Sequence, residues 1–192
     1  MKKNRFGWSI LIVCLLFSSQ SGWSEVNVWE GTLSIPTYPW GEDINPKFFA
    51  LEESIIYPYT MQDNLAREKV DREYQAVYLE NEYLKVTCLP ELAGRIFSVL
   101  DKTTNQEMFH KNPVVKPGMI GMRGAWFSGG IEWNTGPHAH SVTIVTPVNV
   151  TTQKNEDGSA TLAISNTEQI FRTRWTVYLT LHPGKAYLDE RI

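Results

Sequence analysis

The chain has 192 residues, 42% of them hydrophobic and 12% aromatic, and its formal net charge is -3. This length and composition suit one globular domain. The mildly acidic balance and the lack of a block of basic residues argue against nucleic acid or an anionic membrane surface as the partner.

The first 24 residues have the pattern of a signal peptide. A basic start, MKKNR, is followed by the apolar run WSILIVCLLF and then by small polar residues before Glu25. The apolar run is shorter than the roughly 20 residues that a membrane-spanning helix needs, although an uncleaved anchor is the alternative interpretation. We therefore expect a signal peptide at residues 1–24, a secreted or periplasmic protein, and no stable membrane insertion after cleavage. The sequence from residue 25 keeps one cysteine, Cys88, in an alternating run that indicates a small buried side chain.

Short strands are predicted along most of residues 25–192. VNVWEGTLSIPTYPW predicts an opening strand, and a proline-rich aromatic connector follows at residues 41–59. The charged stretch MQDNLAREKVDREYQ matches a helical period only loosely, so it predicts either a short helix or a solvated loop. From Ala76 onward, alternating runs are separated by turn signals at Asn81-Glu82, at residues 101–105, at KNEDG and at His-Pro-Gly.

Antiparallel strands at this spacing predict an all-β sandwich or a related architecture. The last run, AYLDERI, alternates as a strand does and ends at Ile192 without a polar tail. We expect this chain to be the front part of a larger domain, the alternative being a natural end at Ile192.

The segment RGAWFSGGIEWNTGPHAH, residues 123–140, combines an acid, imidazoles, large aromatics and an amide between glycines. Gly129-Gly130 and Gly136-Pro137 exclude a regular helix and favour bulges or turns that aim side chains at a ligand. Flat apolar rings beside carboxylate and imidazole groups are what a sugar cleft requires. The sequence therefore predicts a carbohydrate ligand, and nothing in it calls for a cofactor.

Glu132 is the first catalytic candidate, because glycines and a tryptophan around it would desolvate the carboxylate of a general acid. The alternative is a structural carboxylate that binds loop amides or Arg123. His138 and His140 are the other two catalytic candidates. They share a face if the segment is extended, and they could contact a sugar, bind the loop or hold a metal. An H-x-H pair without a third ligand is a weak metal signal, so no metal is predicted.

The substrate-binding candidates surround that acid. Arg95 either reaches into the cleft to pair with a carboxylate or supports Glu107 across a hairpin. One or both of Trp126 and Trp133 could form a stacking platform for a pyranose ring, the alternative being a place in the core. The complete set of predicted binding residues is Arg95, Arg123, Trp126, Trp133 and Asn134.

Three segments of the chain resemble a bacterial domain of unknown function, DUF5107: LENEYLKVTCLPELAGRI, the hairpin ending in NQEMFHKNP, and WFSGGIEWNTGPHAH. The resemblance covers residues 26–192. That family often precedes tetratricopeptide repeats and is similar to galactose mutarotase-like proteins. The resemblance thus implies that residues 25–192 are the N-terminal part of an antiparallel β-supersandwich with a sugar cleft on one concave face. Mutarotases carry their general-base glutamate near the C-terminal end of the domain, so its counterpart would lie beyond Ile192.

Relatives of that fold include aldose epimerases, glycoside hydrolases, polysaccharide lyases and non-catalytic sugar binders, so the fold does not decide the chemistry. One hypothesis is a carbohydrate-active enzyme in which Glu132 is one member of a catalytic pair. The other is a glycan-binding or interaction module associated with tetratricopeptide repeats. Replacing Glu132 with glutamine separates them, because an enzyme loses turnover and keeps its ligand, whereas a binder changes little.

Overall fold

The computed structural model describes residues 25–43, 56–134 and 143–192, and these residues form strands joined by turns. The prediction of an all-β fold is confirmed. One short 3-10 turn at Pro90–Leu92 is the helical element among the described residues, and none of them forms a helix able to span a membrane.

The first sheet has five strands in the order β1-β4-β5-β6-β7, and every neighbouring pair is antiparallel. The opening strand and β4 pair over eleven residues, from Asn27 opposite Glu80 to Thr37 opposite Val70. The side-chain oxygen of Asn81 accepts hydrogen bonds from the backbone N–H groups of Tyr83 and Leu84, which fixes the predicted turn between β4 and β5. The strands are β1 Asn27–Thr37, β4 Val70–Glu80, β5 Leu84–Leu89, β6 Arg95–Asp101 and β7 Gln106–Glu107.

The second sheet contains the four strands β10-β11-β12-β13 as consecutive antiparallel hairpins. Its alternation is clearest in β12, where Trp175, Val177, Leu179 and Leu181 are buried and the residues between them are not. The KNEDG and His-Pro-Gly turns lie where the sequence predicted them. The strands are β10 Asn149–Lys154, β11 Ala160–Thr167, β12 Arg174–Leu181 and β13 Leu188–Arg191.

The two sheets pack face to face and enclose the first hydrophobic core. Its members come from alternate positions of both sheets, with Val86, Cys88 and Ile96 on one side and Leu162 and Val177 on the other. Burial of each large apolar side chain in this core stabilises the fold by about 1.5–3 kcal/mol relative to leaving it exposed. Cys88 is fully buried, as expected, and burial raises the pKa of its thiol well above the ordinary value.

A small third sheet covers part of the opposite face of the first sheet. It has the order β2-β3-β9-β8, and with the residues around it this sheet encloses the second hydrophobic core, which includes Ile35, Tyr74, Phe97 and Phe127. The first sheet is therefore covered on one face by the second sheet and on part of the other by this layer. The strands are β2 Trp40–Asp43, β3 Met61–Leu65, β8 Gly118–Gly121 and β9 Gly124–Trp126.

Most of the charged stretch at residues 61–75 is strand, and residues 66–69 form the loop between two strands, so the prediction of a short helix or a solvated loop was wrong for most of its length. Its first part is β3, with Met61 and Gln62 buried, and its second part is the start of β4. Strand β3 pairs with β2 on one side and, through Gln62 and Gly124, with β9 on the other. Pairing with distant strands decides this conformation, which local periodicity alone did not indicate.

Candidate functional site

The glycine pair turns the chain back onto the beginning of β6. Gly130 has a φ of +65°, and a Cβ atom there would collide with the carbonyl oxygen of Ile96. This close approach lets Ile131 and Ile96 exchange two backbone hydrogen bonds of 2.9 and 3.1 Å. The interpretation of Gly129-Gly130 as a turn is confirmed, whereas Gly136-Pro137 lies outside the described residues.

This turn brings Glu132 beside Arg95, 37 residues earlier in the chain. Arg95 Nη2 donates to Glu132 Oε2 over 3.0 Å, and the indole Nε1 of Trp126 donates to the same oxygen over 2.8 Å. Arg95 is almost fully buried, with 3% of its side chain exposed, while 18% of the Glu132 side chain remains exposed. We call Arg95, Trp126 and Glu132 the acid cluster.

The guanidinium of Arg95 is held from several sides. Nη1 donates to the carbonyl oxygen of Gly129 over 2.5 Å, and the guanidinium carbon lies 4.2 Å from the centre of the Phe127 ring. Nε is buried and has no hydrogen-bond partner among the described residues. Burial lowers the pKa of Arg95, and the charge of Glu132 and its hydrogen bond oppose that shift. The arginine therefore stays a cation whose position is fixed by the fold.

These contacts define the chemistry available to Glu132. A cation and an N–H donor on one oxygen favour the ionised carboxylate, which suits an acceptor of hydroxyl hydrogen bonds, a base or a nucleophile better than a general acid. The expectation that Arg95 supports Glu107 is wrong. Glu107 accepts hydrogen bonds from Ser98 and Lys111 instead.

Arg123 lies in a different cluster from the one the sequence suggested. It is 4% exposed, and its guanidinium donates to Glu42 Oε1 over 3.1 Å and to the Thr146 hydroxyl over 2.8 Å. Nε donates to the Thr60 carbonyl oxygen over 2.7 Å. Nothing in the local sequence indicated Glu42 as the partner. These contacts tie β2 and residue 60 to the start of β9, which gives Arg123 a structural place; its role in ligand binding stays a prediction.

The two tryptophans of the glycine-rich segment have different environments. Trp133 is 6% exposed, packs in the first core and donates its indole N–H to the carbonyl oxygen of Gly94 over 2.9 Å. A ring covered in this way offers no face to a sugar, so the platform interpretation of Trp133 is replaced by the core interpretation. Trp126 is half-buried at the border of the second core, and Asn134 is exposed.

The remaining predicted residues, His138 and His140, lie outside the described residues. Of the other histidines, His110 is exposed and its carbonyl oxygen accepts the Gly130 N–H over 2.8 Å. His182 Nε2 lies 2.8 Å from Asp189 Oδ2, in a shallow groove of about 380 Å³ on the outer face of the second sheet. In the described part of the chain, no group of three histidine, cysteine or carboxylate side chains is arranged to hold a metal ion.

An aromatic pair on the first sheet was not singled out from the sequence. Trp29 on β1 lies directly opposite Tyr78 on β4, and their rings stack with centres 4.9 Å apart and planes 14° apart. Lys85 Nζ lies 5.2 Å from the centre of each ring. Trp29 stays 37% exposed. The alternation of VNVWEGTL, with valines on one face and Trp29 on the other, is the signal that could have identified it.

Comparison with known proteins identifies the family. The model of DUF5107, a domain of unknown function, matches residues 51–192. The chain belongs to this family. The DUF5107 match contains all three members of the acid cluster, whereas Trp29 precedes it.

A solved structure of a TPR-domain containing protein from Parabacteroides distasonis is similar to this DUF5107 chain. The TM-score is 0.76 at 24% sequence identity, and the likeness covers 88% of this chain and 29% of the other. The chain described here therefore spans less than a third of the length of that protein. At this identity the likeness shows a shared fold, and β1, which precedes the DUF5107 match, is an integral part of the first sheet.

Proposed function

We propose that this DUF5107 domain binds carbohydrate and that the acid cluster is the centre of its binding site. The observation that carries the proposal is the carboxylate of Glu132, which is fixed by a buried arginine and an indole N–H and still exposes 18% of its side chain. An ionised carboxylate held in one position accepts hydrogen bonds from sugar hydroxyls without first losing side-chain freedom.

The surroundings of Glu132 support this ligand class over others. Trp126 is half-buried and offers apolar surface to the C–H groups of a sugar ring, and Asn134 is exposed two residues after Glu132. Among the described residues of the cluster, the charge of Arg95 is already neutralised by Glu132, so Arg95 is not available to a phosphate or a nucleic acid. The resemblance to galactose mutarotase-like proteins points to the same class of ligand.

The geometry favours recognition over acid catalysis. A general acid must be protonated near neutral pH, but Arg95 and Trp126 both stabilise the ionised form of Glu132. The alternative function, a glycoside hydrolase or epimerase, would use Glu132 as base or nucleophile, which its ionised state permits. That alternative needs a second catalytic group, and His138 and His140 are the candidates from the sequence.

The test is glycan binding by the full chain and by Glu132→Gln, measured by calorimetry after a glycan screen. The sequence alone predicted little change for a binder, but with Glu132 at the centre of the proposed site we expect affinity to fall about fivefold, because a charge-assisted hydrogen bond is replaced by a neutral one. Glu91→Gln is the matched control, since Glu91 also accepts from an arginine, Arg72 at 3.1 Å, and from a backbone N–H. Wild-type protein that binds no glycan would refute the proposal. Unchanged affinity with loss of sugar turnover would identify the enzyme instead.

We also propose that the protein is exported and acts outside the cytoplasm beside TPR repeats. The basic and apolar start of the sequence supports export. The TPR domain of the similar Parabacteroides protein supports the association with repeats. N-terminal sequencing of protein from the periplasm or medium should give Glu25 as the first residue. A protein found only in the cytoplasm with an intact N-terminus would contradict this.

A further inference from the structure

We propose that the outer edge of β1 is a docking site for a short extended segment of another protein, in which basic and apolar side chains alternate. Strand β1 lies at the edge of the first sheet, where β4 pairs with one of its two sides. The docked segment adds one more strand to this sheet. Arg95 of the acid cluster lies on β6, three strands away, so this surface is separate from the proposed carbohydrate site.

Three backbone hydrogen bonds show which groups of β1 point away from β4. Just before the strand, Val26 N–H donates to the carbonyl oxygen of Gly158 over 3.0 Å. At the other end, Val115 N–H donates to the Pro36 carbonyl oxygen and Tyr38 N–H donates to the Val115 carbonyl oxygen, each over 2.9 Å. The three residues on or beside β1 all have even numbers, and the register with β4 has no shift along the strand. Even-numbered residues therefore direct their N–H and C=O groups outward, because these directions alternate along an antiparallel strand.

The middle of this outer edge is free. Four residues have outward N–H and C=O groups without a hydrogen-bond partner among the described residues: Val28, Glu30, Thr32 and Ser34. The side chains of the last three are exposed. We call residues 28–34 the free window. At the usual rise of a strand the free window is roughly 23 Å long, and unpaired backbone groups along such a length are a template for another strand.

Both ends of the free window are closed, which limits what can bind. At each end a neighbouring segment, through Gly158 or Val115, occupies the place that a longer incoming strand needs. A second copy of this chain would bring an eleven-residue β1 with its own closed ends, so the closing segments of the two copies would collide. It would also set the two Glu30 carboxylates diagonally across from each other. A segment of about seven residues whose flanks turn away from the sheet fits instead.

One face of the free window has a place for an apolar side chain. Trp29, which is 37% exposed, and the partly buried Leu33 flank Gly31 on this face. Among the described residues, a Cβ atom added at Gly31 would have only the Tyr78 ring within 4 Å, at an ordinary contact distance of 3.5 Å. The space over Gly31 is therefore open. A large apolar side chain opposite this glycine fills the space and packs against Trp29.

The other face of the free window has the charge that selects a cationic partner. Glu30 is the one charged residue in the window, and its side chain is exposed. Glu73 on β4 is also exposed and lies directly opposite Ser34, so it shares this face with Glu30. Lysine or arginine side chains at alternate positions of the partner lie beside these carboxylates, whereas acidic side chains are repelled.

The test measures binding of labelled peptides to the full chain by fluorescence anisotropy. The probe is the heptapeptide KVKFKVK, paired so that its phenylalanine faces Gly31 and its lysines share the face of Glu30. We expect it to bind about tenfold more tightly than EVEFEVE, because the acidic peptide places like charges beside Glu30. A probe N-methylated at its two central lysines keeps its charge but should lose about tenfold in affinity, since those N–H groups bond to β1.

A proline variant tests the same hydrogen bonds from the protein side. Thr32→Pro removes an outward N–H and leaves the ladder to β4 intact, as Pro36 already does on this strand. It should lower the affinity for KVKFKVK about tenfold, because one hydrogen bond is lost and the ring obstructs the incoming strand. Thr32→Val is the matched control, since it keeps the N–H and a β-branched side chain, and it should bind like the wild type. Thermal melts followed by circular dichroism check folding, and the N-methylated probe decides the matter if Thr32→Pro does not fold.

Amide hydrogen exchange followed by NMR locates the bound peptide. In the free chain the N–H groups of Glu30 and Thr32 should exchange rapidly, whereas those of Trp29 and Gly31 are protected by β4. KVKFKVK should slow the exchange of the even-numbered residues. Even-numbered amides that are already protected in the free chain would show that the edge is not free and overturn the proposal. Failure of KVKFKVK to bind, or equal binding of the N-methylated probe, overturns it as well.

Discussion

The pair Arg95–Glu132 is the interaction on which the candidate site depends, and a double-mutant cycle measures it. The variants are Arg95→Met, Glu132→Gln and the two together. Removing one partner of a buried ion pair costs about 3–5 kcal/mol of unfolding free energy. The 18% exposure of the Glu132 side chain lets water reach the stranded carboxylate, so for Arg95→Met we expect the lower end of that range, about 3 kcal/mol.

The other single variant strands the more buried partner. In Glu132→Gln, Arg95 keeps its hydrogen bond to the Gly129 carbonyl oxygen but loses its counter-charge with 3% of its side chain exposed, so the expected cost is again about 3 kcal/mol. The double variant leaves no stranded charge, so its cost should fall short of the sum of the single costs by about 1–2 kcal/mol.

The measurement is urea unfolding of the full chain followed by circular dichroism, with slopes compared between variants. Arg72→Met with Glu91→Gln is the matched cycle, because that pair has a similar 3.1 Å geometry but 42% of the Arg72 side chain is exposed. The coupling energy between Arg72 and Glu91 should be less than about 1 kcal/mol. If the unfolding costs of the two single variants at Arg95 and Glu132 add up to the cost of the double variant within about 0.5 kcal/mol, the two residues do not form the pair described here.

Three further predictions concern other parts of the structure. Gly130→Ala, which forces a Cβ atom against the Ile96 carbonyl oxygen at a φ of +65°, should lower the unfolding free energy by about 2 kcal/mol or more; an unchanged urea midpoint would show that the turn relaxes freely. Burial acts to raise the pKa of Glu42, but hydrogen bonds and the charge of Arg123 outweigh it and hold that pKa below 4.5. Glu42 therefore stabilises the fold above its unfolded pKa, and this contribution disappears as the pH falls through its folded pKa. The stability difference between wild type and Glu42→Gln should shrink in acid, and a constant difference would contradict the assignment. Burial raises the pKa of the Cys88 thiol, so in protein that starts at residue 25, where Cys88 is the one cysteine, Ellman's reagent should label it in urea and not in buffer; rapid labelling of this protein in its native state would contradict the place of Cys88 in the core.

Much of the strand pattern could be predicted because the residues that form each turn are adjacent in the sequence. The Asn81 turn, the KNEDG turn and the His-Pro-Gly turn separate alternating runs, and each run became a strand. The stretch at residues 61–75 was missed because β3 is stabilised by β2 and β9, which lie elsewhere in the sequence. Its burial pattern is a product of that pairing and is not visible in its own periodicity.

The candidate site was only partly predictable. The glycines and Glu132 were found because they are unusual in local sequence, but Arg123 was the arginine offered as an alternative partner of Glu132, and its pairing with Arg95 was not predicted. Arg95 reaches it through the Ile96–Ile131 bridge, a tertiary contact. The alternation of side chains between the two faces of an extended segment offered a better guide for the tryptophans. In an extended segment Ile131 and Trp133 share a face, so an acid exposed at residue 132 places Trp133 in the core.

The long pairing between β1 and β4 has a practical consequence for anyone who trims this protein to its family boundaries. A shortened protein that starts at residue 51 would lack β1 altogether, although eleven residues of β4 depend on it for their ladder. It would also remove Val26 from one core and Ile35 from the other. The edge of β4 that β1 covers would then have unpaired backbone groups and could pair with strands of other molecules, so such a fragment should be recovered as insoluble aggregate. Protein that starts at residue 25 should not aggregate in this way.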